Sequence, residues 1–150
     1  MSVRPIPEGY QGVTPYLAVD DAAAAIRFYV EAFGATETMR LEMGGKIGHA
    51  EVRIGHGALM LSDEWPDWNM LGPNSRGGPT CNLHLYVEDV DSAFARALEA
   101  GATVERPVSD QFYGDRSGTL RDPFGHRWNI ATHIEDVTPE EMRRRMEGQG

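Results

Sequence analysis

A length of 150 residues with 41% hydrophobic residues is typical of one globular domain with its own core. The formal net charge of −9, without a basic stripe, argues against a nucleic-acid partner, and no apolar run is long enough to predict a membrane span. One cysteine rules out an internal disulfide and a cysteine zinc site, and the N-terminus lacks a signal-peptide pattern, which predicts a cytoplasmic protein.

The first half of the chain alternates between strand and helix patterns. Residues 13–19 are apolar and β-rich, which predicts a strand, and residues 22–33 predict a helix. Asp20 and Asp21 supply N-cap candidates for this helix, and Gly34 is suited to end it. Three more strands, separated by glycine-rich turns, complete the unit: 36–43, 47–54 and 58–62.

A long segment rich in glycine and proline, Asp63–Pro79, predicts a loop that links two units or covers a site. Trp65 and Trp68 in this loop are candidates for an aromatic wall over a flat ligand, or for simple packing of the loop. We expect Cys81, just after it, to be a small buried residue at the start of a strand.

The second half repeats the pattern of the first. A helix is predicted at 92–100, and a C-terminal helix at about 138–147 begins with a capping box at Thr138. The remaining elements are strands, predicted at 82–87, 103–108, 116–122 and 126–133.

An offset of 68 residues relates the two halves. Leu17–Asp21 matches Leu85–Asp89, and Arg53 falls on Arg121 at the same offset. The pattern predicts an α+β fold of two βαβββ modules. One such unit exposes a sheet face that it cannot cover alone, so two units or two chains are expected to curl around a shared cleft. The predicted boundaries are module one at about 10–64, a linker at about 65–79, module two at about 80–134, and the C-terminal helix.

Three motifs make the chain resemble a known family: Val13–Leu17, Ala25–Ala35 and Asp122–Trp128. They are similar to motifs of the vicinal oxygen chelate superfamily, which holds glyoxalase I, extradiol dioxygenases, and fosfomycin and bleomycin resistance proteins. Tyr86–Asp91 and Asp110–Arg116 resemble its PhnB-like branch. The resemblance implies a glyoxalase-like fold, in which tandem modules form a curved mixed sheet that encloses a cleft, and a homodimer. It does not fix the function, because this fold supports several chemistries.

In metal-dependent members, the resemblance implies His or Glu ligands on the first and last strands of each module. The corresponding positions here are Thr14, Leu61, Asn82 and Asn129. Leucine cannot coordinate a metal, and neutral Thr and Asn are poor ligands for Zn²⁺, Ni²⁺ or Fe²⁺. We therefore expect no metal at the usual positions and no cofactor.

A relocated divalent metal at His49, Glu51 and His84 is the alternative, because His49 and Glu51 share one strand face. The same residues have a structural interpretation, in which His49 and Glu51 pair with each other or with Arg53. His84 is then a hydrogen-bonded polar group that lines a pocket.

The segment Asp110–Arg116 is dense in functional groups. Tyr113 offers a phenol and Arg116 a guanidinium that suits anions, whereas a structural turn with an internal Asp–Arg pair is the alternative.

These observations favour a homodimeric protein that binds a small molecule in the sheet cleft without the superfamily's usual metal. The alternative is a glyoxalase-like lyase or isomerase that uses the relocated metal. No nucleic acid or membrane is expected as a partner. The residues expected to line the cleft are Thr14, Tyr16, Leu61, Asn82, His84, Tyr113, Arg116, Trp128 and Asn129.

Overall fold

Two units of similar architecture follow each other along the chain, and the boundary lies after Thr80. The computed structural model describes residues 2–148. Each unit has one strand, one long helix and three more strands in that order, which confirms the α+β fold of two βαβββ modules.

Unit 1 has a four-stranded mixed sheet in the order β1-β4-β3-β2, with β1 parallel to β4 and the other pairs antiparallel. Its elements are β1 Tyr16–Val19, α1 Ala22–Phe33, β2 Thr36–Met43, β3 Lys46–Ile54 and β4 Gly57–Asp63.

Helix α1 has the predicted bounds because both of its ends are capped. The Asp21 carboxylate accepts a hydrogen bond from the backbone N–H of Ala24, and Gly34 adopts a left-handed φ of 68° where the helix ends. Strand β1, in contrast, begins at Tyr16, three residues later than predicted.

The segment predicted as a loop contains two short helical turns, a 3₁₀ turn at Pro66–Trp68 and α2 at Pro73–Arg76. Each turn has proline at its start, where the fixed φ favours a helix and the missing N–H is not needed. The Trp65 and Trp68 rings stack with their centroids 5.9 Å apart, so these side chains pack against each other within the segment.

Unit 2 repeats the arrangement with the sheet order β5-β8-β7-β6. Its elements are β5 Asn82–Tyr86, α3 Val90–Ala100, β6 Thr103–Asp110, β7 Asp115–Arg121, β8 Arg127–His133 and the C-terminal helix α4 Pro139–Glu147. The Thr138 hydroxyl accepts a hydrogen bond from the N–H of Glu141 and so caps α4. The prediction that Cys81 is buried is wrong, because the residue is exposed just before β5.

One face of each sheet packs against the long helix of its unit. In unit 1, fully buried Ala50, Val52 and Leu61 lie on the α1 side. The opposite face carries Tyr16, His49, Glu51 and Met60, and we call it the polar face of unit 1.

In unit 2, buried Leu120, Trp128 and Ile130 lie on the α3 side. The polar face of unit 2 is the opposite one and carries His84, Tyr86, Thr119 and Asn129. Within residues 2–148, no helix is long and apolar enough to cross a membrane.

Candidate functional site

The strand register corrects one of the four predicted ligand positions. Leu61 pairs with Leu17 and Ala50 and is fully buried on the α1 side, so it does not lie on the polar face. Met60 takes that place, since it pairs with both Tyr16 and Glu51. In unit 2 the residue opposite His84 is Asn129, so the two halves are offset by 69 residues on their last strands but by 68 on their first and third strands.

The turn before the last strand explains this slip. In unit 1, four residues separate the paired Arg53 and Ala58, whereas in unit 2 five residues separate the paired Arg121 and Arg127. Because side chains alternate along a strand, one extra residue moves the aligned position to the other face.

A chain of hydrogen bonds crosses the polar face of unit 1. The Tyr16 hydroxyl lies 2.8 Å from His49 Nδ1, and His49 Nε2 lies 2.7 Å from Glu51 Oε2. The hydroxyl of Tyr10 donates to the other oxygen of the same carboxylate, Glu51 Oε1. We call Tyr10, Tyr16, His49 and Glu51 the Tyr16 cluster.

Tyr10 comes from the segment that precedes β1, and two contacts with Arg53 hold it in place. The Arg53 guanidinium carbon lies 4.6 Å from the centroid of the Tyr10 ring, and Arg53 Nη1 donates to the Gly9 carbonyl at 2.8 Å. The sequence analysis missed Tyr10, because nothing in the local pattern signals that a residue outside the strands folds back onto β3.

The surroundings of Tyr16 combine polar and apolar groups. Burial raises the pKa of the Tyr16 phenol, and the hydrogen bond with Ser62 opposes this effect. On β2, Met39 and Leu41 pair with Glu51 and His49 and so lie on the same face. Their side chains are 43% and 58% exposed, which places accessible apolar surface beside the cluster.

A second polar cluster lies in unit 2, where the ends of its strands meet. The buried carboxylate of Asp115 accepts a hydrogen bond from the Tyr86 hydroxyl at 2.6 Å, and its other oxygen lies 2.8 Å from His133 Nδ1. His133 Nε2 lies 2.8 Å from the exposed carboxylate of Asp136. We call Tyr86, Asp115, His133 and Asp136 the Asp115 cluster.

The pKa values in the Asp115 cluster follow from these bonds. Burial alone would raise the pKa of Asp115, but the hydrogen bonds with Tyr86 and His133 lower it overall. The two carboxylates, with Asp115 contributing first, raise the pKa of His133. The hydrogen bond to Asp115 raises the pKa of the Tyr86 phenol.

Two predicted site residues lie beside this cluster. The His84 ring centroid is 4.9 Å from that of Tyr86, and the half-buried Tyr113 is close enough to Tyr86 to raise its pKa slightly.

The other predicted polar residues lie apart from this cluster. Asn129 Oδ1 accepts a hydrogen bond from Thr119 at 2.9 Å. Asn82 is exposed at the start of β5, and Thr14 is half-buried just before β1.

Two residues predicted to line the cleft have other partners. Arg116 forms hydrogen bonds of 2.9 Å with Asp91 of α3 and with Asp110, so its guanidinium is used in the internal Asp–Arg arrangement that was the structural alternative. Trp128 is 3% exposed on the α3 side, and its Nε1 donates to Asp122 at 2.9 Å. The predictions that Arg116 and Trp128 line the cleft are therefore wrong, because both side chains lie elsewhere.

The residues of the predicted relocated metal site do not form a metal-binding group. Among residues 2–148, no three His, Cys, Asp or Glu side chains are arranged to hold a metal ion. Both ring nitrogens of His49 are engaged, one with Tyr16 and one with Glu51. His84 belongs to unit 2, where its ring contacts Tyr86.

An acidic pocket of about 370 Å³ lies elsewhere in unit 1, near the start of α1. Two of its carboxylates, those of Asp63 and Glu64, bind backbone N–H groups. Asp63 accepts hydrogen bonds from the N–H groups of Ala22 and Ile47, and Glu64 accepts one from that of Gly72. This pocket therefore has a structural role, and the Tyr16 cluster is the better candidate for a functional site.

Comparison with known proteins finds matches to one superfamily. The model of the Glyoxalase/Bleomycin resistance protein/Dioxygenase superfamily matches residues 12–130. An uncharacterized protein of Mycobacterium bovis is 44% identical over 142 residues, which cover 92% of this chain and 93% of that protein.

Solved structures show the same similarity. TioX from Micromonospora sp. ML1 is 30% identical, with a TM-score of 0.66 over 83% of this chain and 99% of TioX. A PhnB protein from Bacillus cereus shares the fold at 20% identity, with a TM-score of 0.63 over 81% of this chain and 99% of that one.

Proposed function

Because the chain belongs to the Glyoxalase/Bleomycin resistance protein/Dioxygenase superfamily, we propose that it binds a small molecule on the polar face of unit 1. We further propose that this binding does not require the metal ion that the metal-dependent members of the superfamily use. The ligand class that suits this surface has one polar group and an apolar or aromatic body.

The observation that carries this proposal is the composition of the polar face. The Tyr16 cluster is held in place by its own hydrogen bonds, so its polar groups are already oriented before a ligand arrives. Exposed Met39 and Leu41 beside it supply the apolar surface that ligand sites commonly have around a few placed polar groups.

The donor set at the usual metal positions supports a metal-free role. With the register corrected, these positions hold Thr14, Met60, Asn82 and Asn129. None has the carboxylate or imidazole that Zn²⁺, Ni²⁺ or Fe²⁺ prefers. The residues therefore do not fit the superfamily's metal.

Metal analysis of the purified protein is the first test. We expect far less than one transition-metal ion per chain, and a tightly bound ion at one per chain would contradict the metal-free proposal. A thermal-shift screen against small oxygen- and nitrogen-bearing metabolites follows. A ligand at 100 times its Kd stabilises the folded protein by about 2.7 kcal/mol, which is readily measured.

Variants then locate the site of any ligand found. We expect the double variant Tyr16→Phe/Leu41→Ser to lose the thermal shift, because it removes one polar and one apolar contact. Tyr86→Phe is the matched control in unit 2 and is expected to keep the shift. The opposite pattern, with binding lost only in Tyr86→Phe, would place the site in unit 2 and contradict the proposal.

A further inference from the structure

The side chains of the Tyr16 cluster are joined by an ordered series of hydrogen bonds, which a site that only binds a ligand does not need. A carboxylate, an imidazole and a hydroxyl follow each other in a line, with contacts of 2.7 Å and 2.8 Å. The side chains of Glu51 and His49 are only 12% and 25% exposed, whereas Tyr16 at the end of the line is 41% exposed. The line therefore leads from a largely buried carboxylate to the hydroxyl of a partly exposed tyrosine.

The direction of the hydrogen bonds follows from the chemistry of the groups. An ionised carboxylate only accepts, so His49 Nε2 carries the proton that it donates to Glu51. In the neutral ring, His49 Nδ1 is then the unprotonated nitrogen, and it accepts a hydrogen bond from the Tyr16 hydroxyl. The same order, in which a base is oriented by a third group, activates hydroxyl groups in many enzymes.

We propose that Glu51, His49 and Tyr16 form a proton relay in which His49 is the general base for the Tyr16 hydroxyl. The relay would give unit 1 a metal-independent acid–base activity toward a ligand with an acidic proton next to a carbonyl group. This inference rests on the proposed binding function, because it assigns chemistry to the same polar face.

The step balances without a further reactant. The ligand C–H proton passes to Tyr16 Oη while the Tyr16 proton passes to His49 Nδ1, and the C–H electron pair moves into the ligand carbonyl. The resulting imidazolium is stabilised by Glu51, and return of the proton to a neighbouring ligand atom restores the relay. Tyr16 is the catalytic residue, and Glu51, which acts through His49, is a positioning residue.

Tyr16 would not perform this role without a base. Burial raises the pKa of its phenol, so the isolated side chain holds its proton at neutral pH. A neighbouring imidazole overcomes the high pKa, because it takes up the phenol proton while the Tyr16 oxygen forms its new bond.

Unit 2 provides an internal control for the relay. Tyr86 is more exposed than Tyr16, at 58%, but its hydroxyl donates to the Asp115 carboxylate and not to an imidazole. Its pKa is also raised, here by the hydrogen bond to Asp115. Exposure alone therefore predicts that Tyr86 reacts faster, whereas the relay predicts that Tyr16 does.

The test uses p-nitrophenyl acetate with the full-length protein. Tyr16 Oη attacks the ester carbonyl, the Tyr16 proton goes to His49 Nδ1, and the carbon–oxygen bond to p-nitrophenolate breaks. Peptide mapping by mass spectrometry gives the acetylation rate of each tyrosine separately. We expect Tyr16 to react at least tenfold faster than Tyr86.

Two variants separate the base from its positioning residue. His49→Gln keeps a hydrogen-bonding side chain next to Tyr16 but no base, and we expect the Tyr16 rate to fall at least tenfold. Glu51→Gln is expected to lower the rate less and to shift His49 from the Nε2–H tautomer to a mixture. The ¹⁵N signals of the His49 ring report that shift, which a merely structural role of Glu51 would not produce.

Several outcomes would overturn the relay. The relay would be disproved if Tyr16 and Tyr86 of the wild-type protein were acetylated at rates within twofold of each other. This result would hold even if no variant folded. An unchanged Tyr16 rate in a folded His49→Gln variant would disprove the relay as well. Acetylation needs no natural ligand, so a slow Tyr16 disproves the relay and leaves the binding proposal to its own screen.

Discussion

The Asp122 carboxylate closes the turn between β7 and β8. One oxygen, Oδ1, accepts hydrogen bonds from the backbone N–H groups of Phe124 and His126, and the other accepts one from Trp128 Nε1. The residue is 3% exposed, so these donors have little access to replacement water. The motif Asp122–Trp128 is therefore explained as structural.

Asp122→Ala is expected to lower the free energy of unfolding by about 3 kcal/mol, because it leaves three donors in a buried turn without their acceptor. Urea denaturation followed by circular dichroism measures the change. Asp122→Asn keeps one acceptor oxygen and is expected to cost less. A loss below 1 kcal/mol for the alanine variant would show that the turn does not depend on this carboxylate.

His133 gives the protein a pH-dependent contribution to stability. Its hydrogen bonds to Asp115 and Asp136 raise its pKa above the ordinary value of 6.5. The protonated ring therefore adds stability that is fully present below pH 6.5 and is lost as the pH rises through the folded-state pKa. The stability difference between wild type and His133→Gln should shrink over that range.

NMR titration of the His133 ring checks the cause directly. We expect a midpoint above 6.5 in the wild-type protein and a lower midpoint in Asp115→Asn, since Asp115 makes the largest contribution. A wild-type midpoint at or below 6.5 would contradict this account.

The misplaced site residues show which information the sequence lacks. The 68-residue repeat aligned Leu61 with Asn129, but the longer turn in unit 2 shifts the register by one residue and reverses the face. Trp128 and Arg116 belong to suggestive motifs, yet their partners, Asp122 and Asp91, are identified only by the fold. Neither a turn length nor a cross-strand partner can be deduced from side-chain type alone.

Gly114 fixes the C-terminal segment to the turn between β6 and β7. Its carbonyl accepts hydrogen bonds from the N–H groups of Ile134 and Glu135 at 2.9 and 3.0 Å. Its φ of 100° is in the region that favours glycine, and an added Cβ would overlap the Glu135 carbonyl.

Gly114→Ala is therefore expected to destabilise the protein by about 2 kcal/mol or more and to loosen the segment that leads to α4. Hydrogen exchange at Ile134 and Glu135, together with urea denaturation, measures both effects. Gly34→Ala is the matched control, because Gly34 also has a positive φ but open space around its Cα. Equal losses in the two variants would mean that strain in φ, and not the contact with Glu135, explains the effect.

The elements themselves follow closely from local signals. The bounds of α1 are correct because Asp21 and Gly34 mark its ends in the sequence. The helical turns between Glu64 and Gly77 were missed, because a segment rich in proline and glycine carries no hydrophobic period. The second of them, α2, is held by Glu64, which accepts hydrogen bonds from Gly72 and Ser75.

The repeat specifies the fold of both units but gives them different polar faces. Tyr16 in unit 1 corresponds to His84 in unit 2, and Glu51 corresponds to Thr119. The carboxylate–imidazole–hydroxyl line is therefore found in unit 1 without a counterpart at the equivalent positions. The proposed chemistry is a property of one unit, while the fold is a property of both.

At the scale of the whole molecule, we predict a homodimer. The resemblance to the superfamily suggests it, and the exposed side chain of Met43, at the end of β2 and outside the Tyr16 cluster, supplies a physical reason, since a second copy that covers it removes apolar surface from water. Light scattering after size exclusion is expected to give twice the chain mass of 16.6 kDa.

Met43→Glu is expected to weaken the association, because a dimer would then bury a carboxylate without a partner. Val30→Glu on α1 is the control for adding a charge at another exposed apolar residue, and we expect it to leave the dimer intact. A wild-type mass of one chain at micromolar concentration would contradict the dimer. A dimer that both variants disrupt equally would show that its interface does not depend on the apolar side chains of β2.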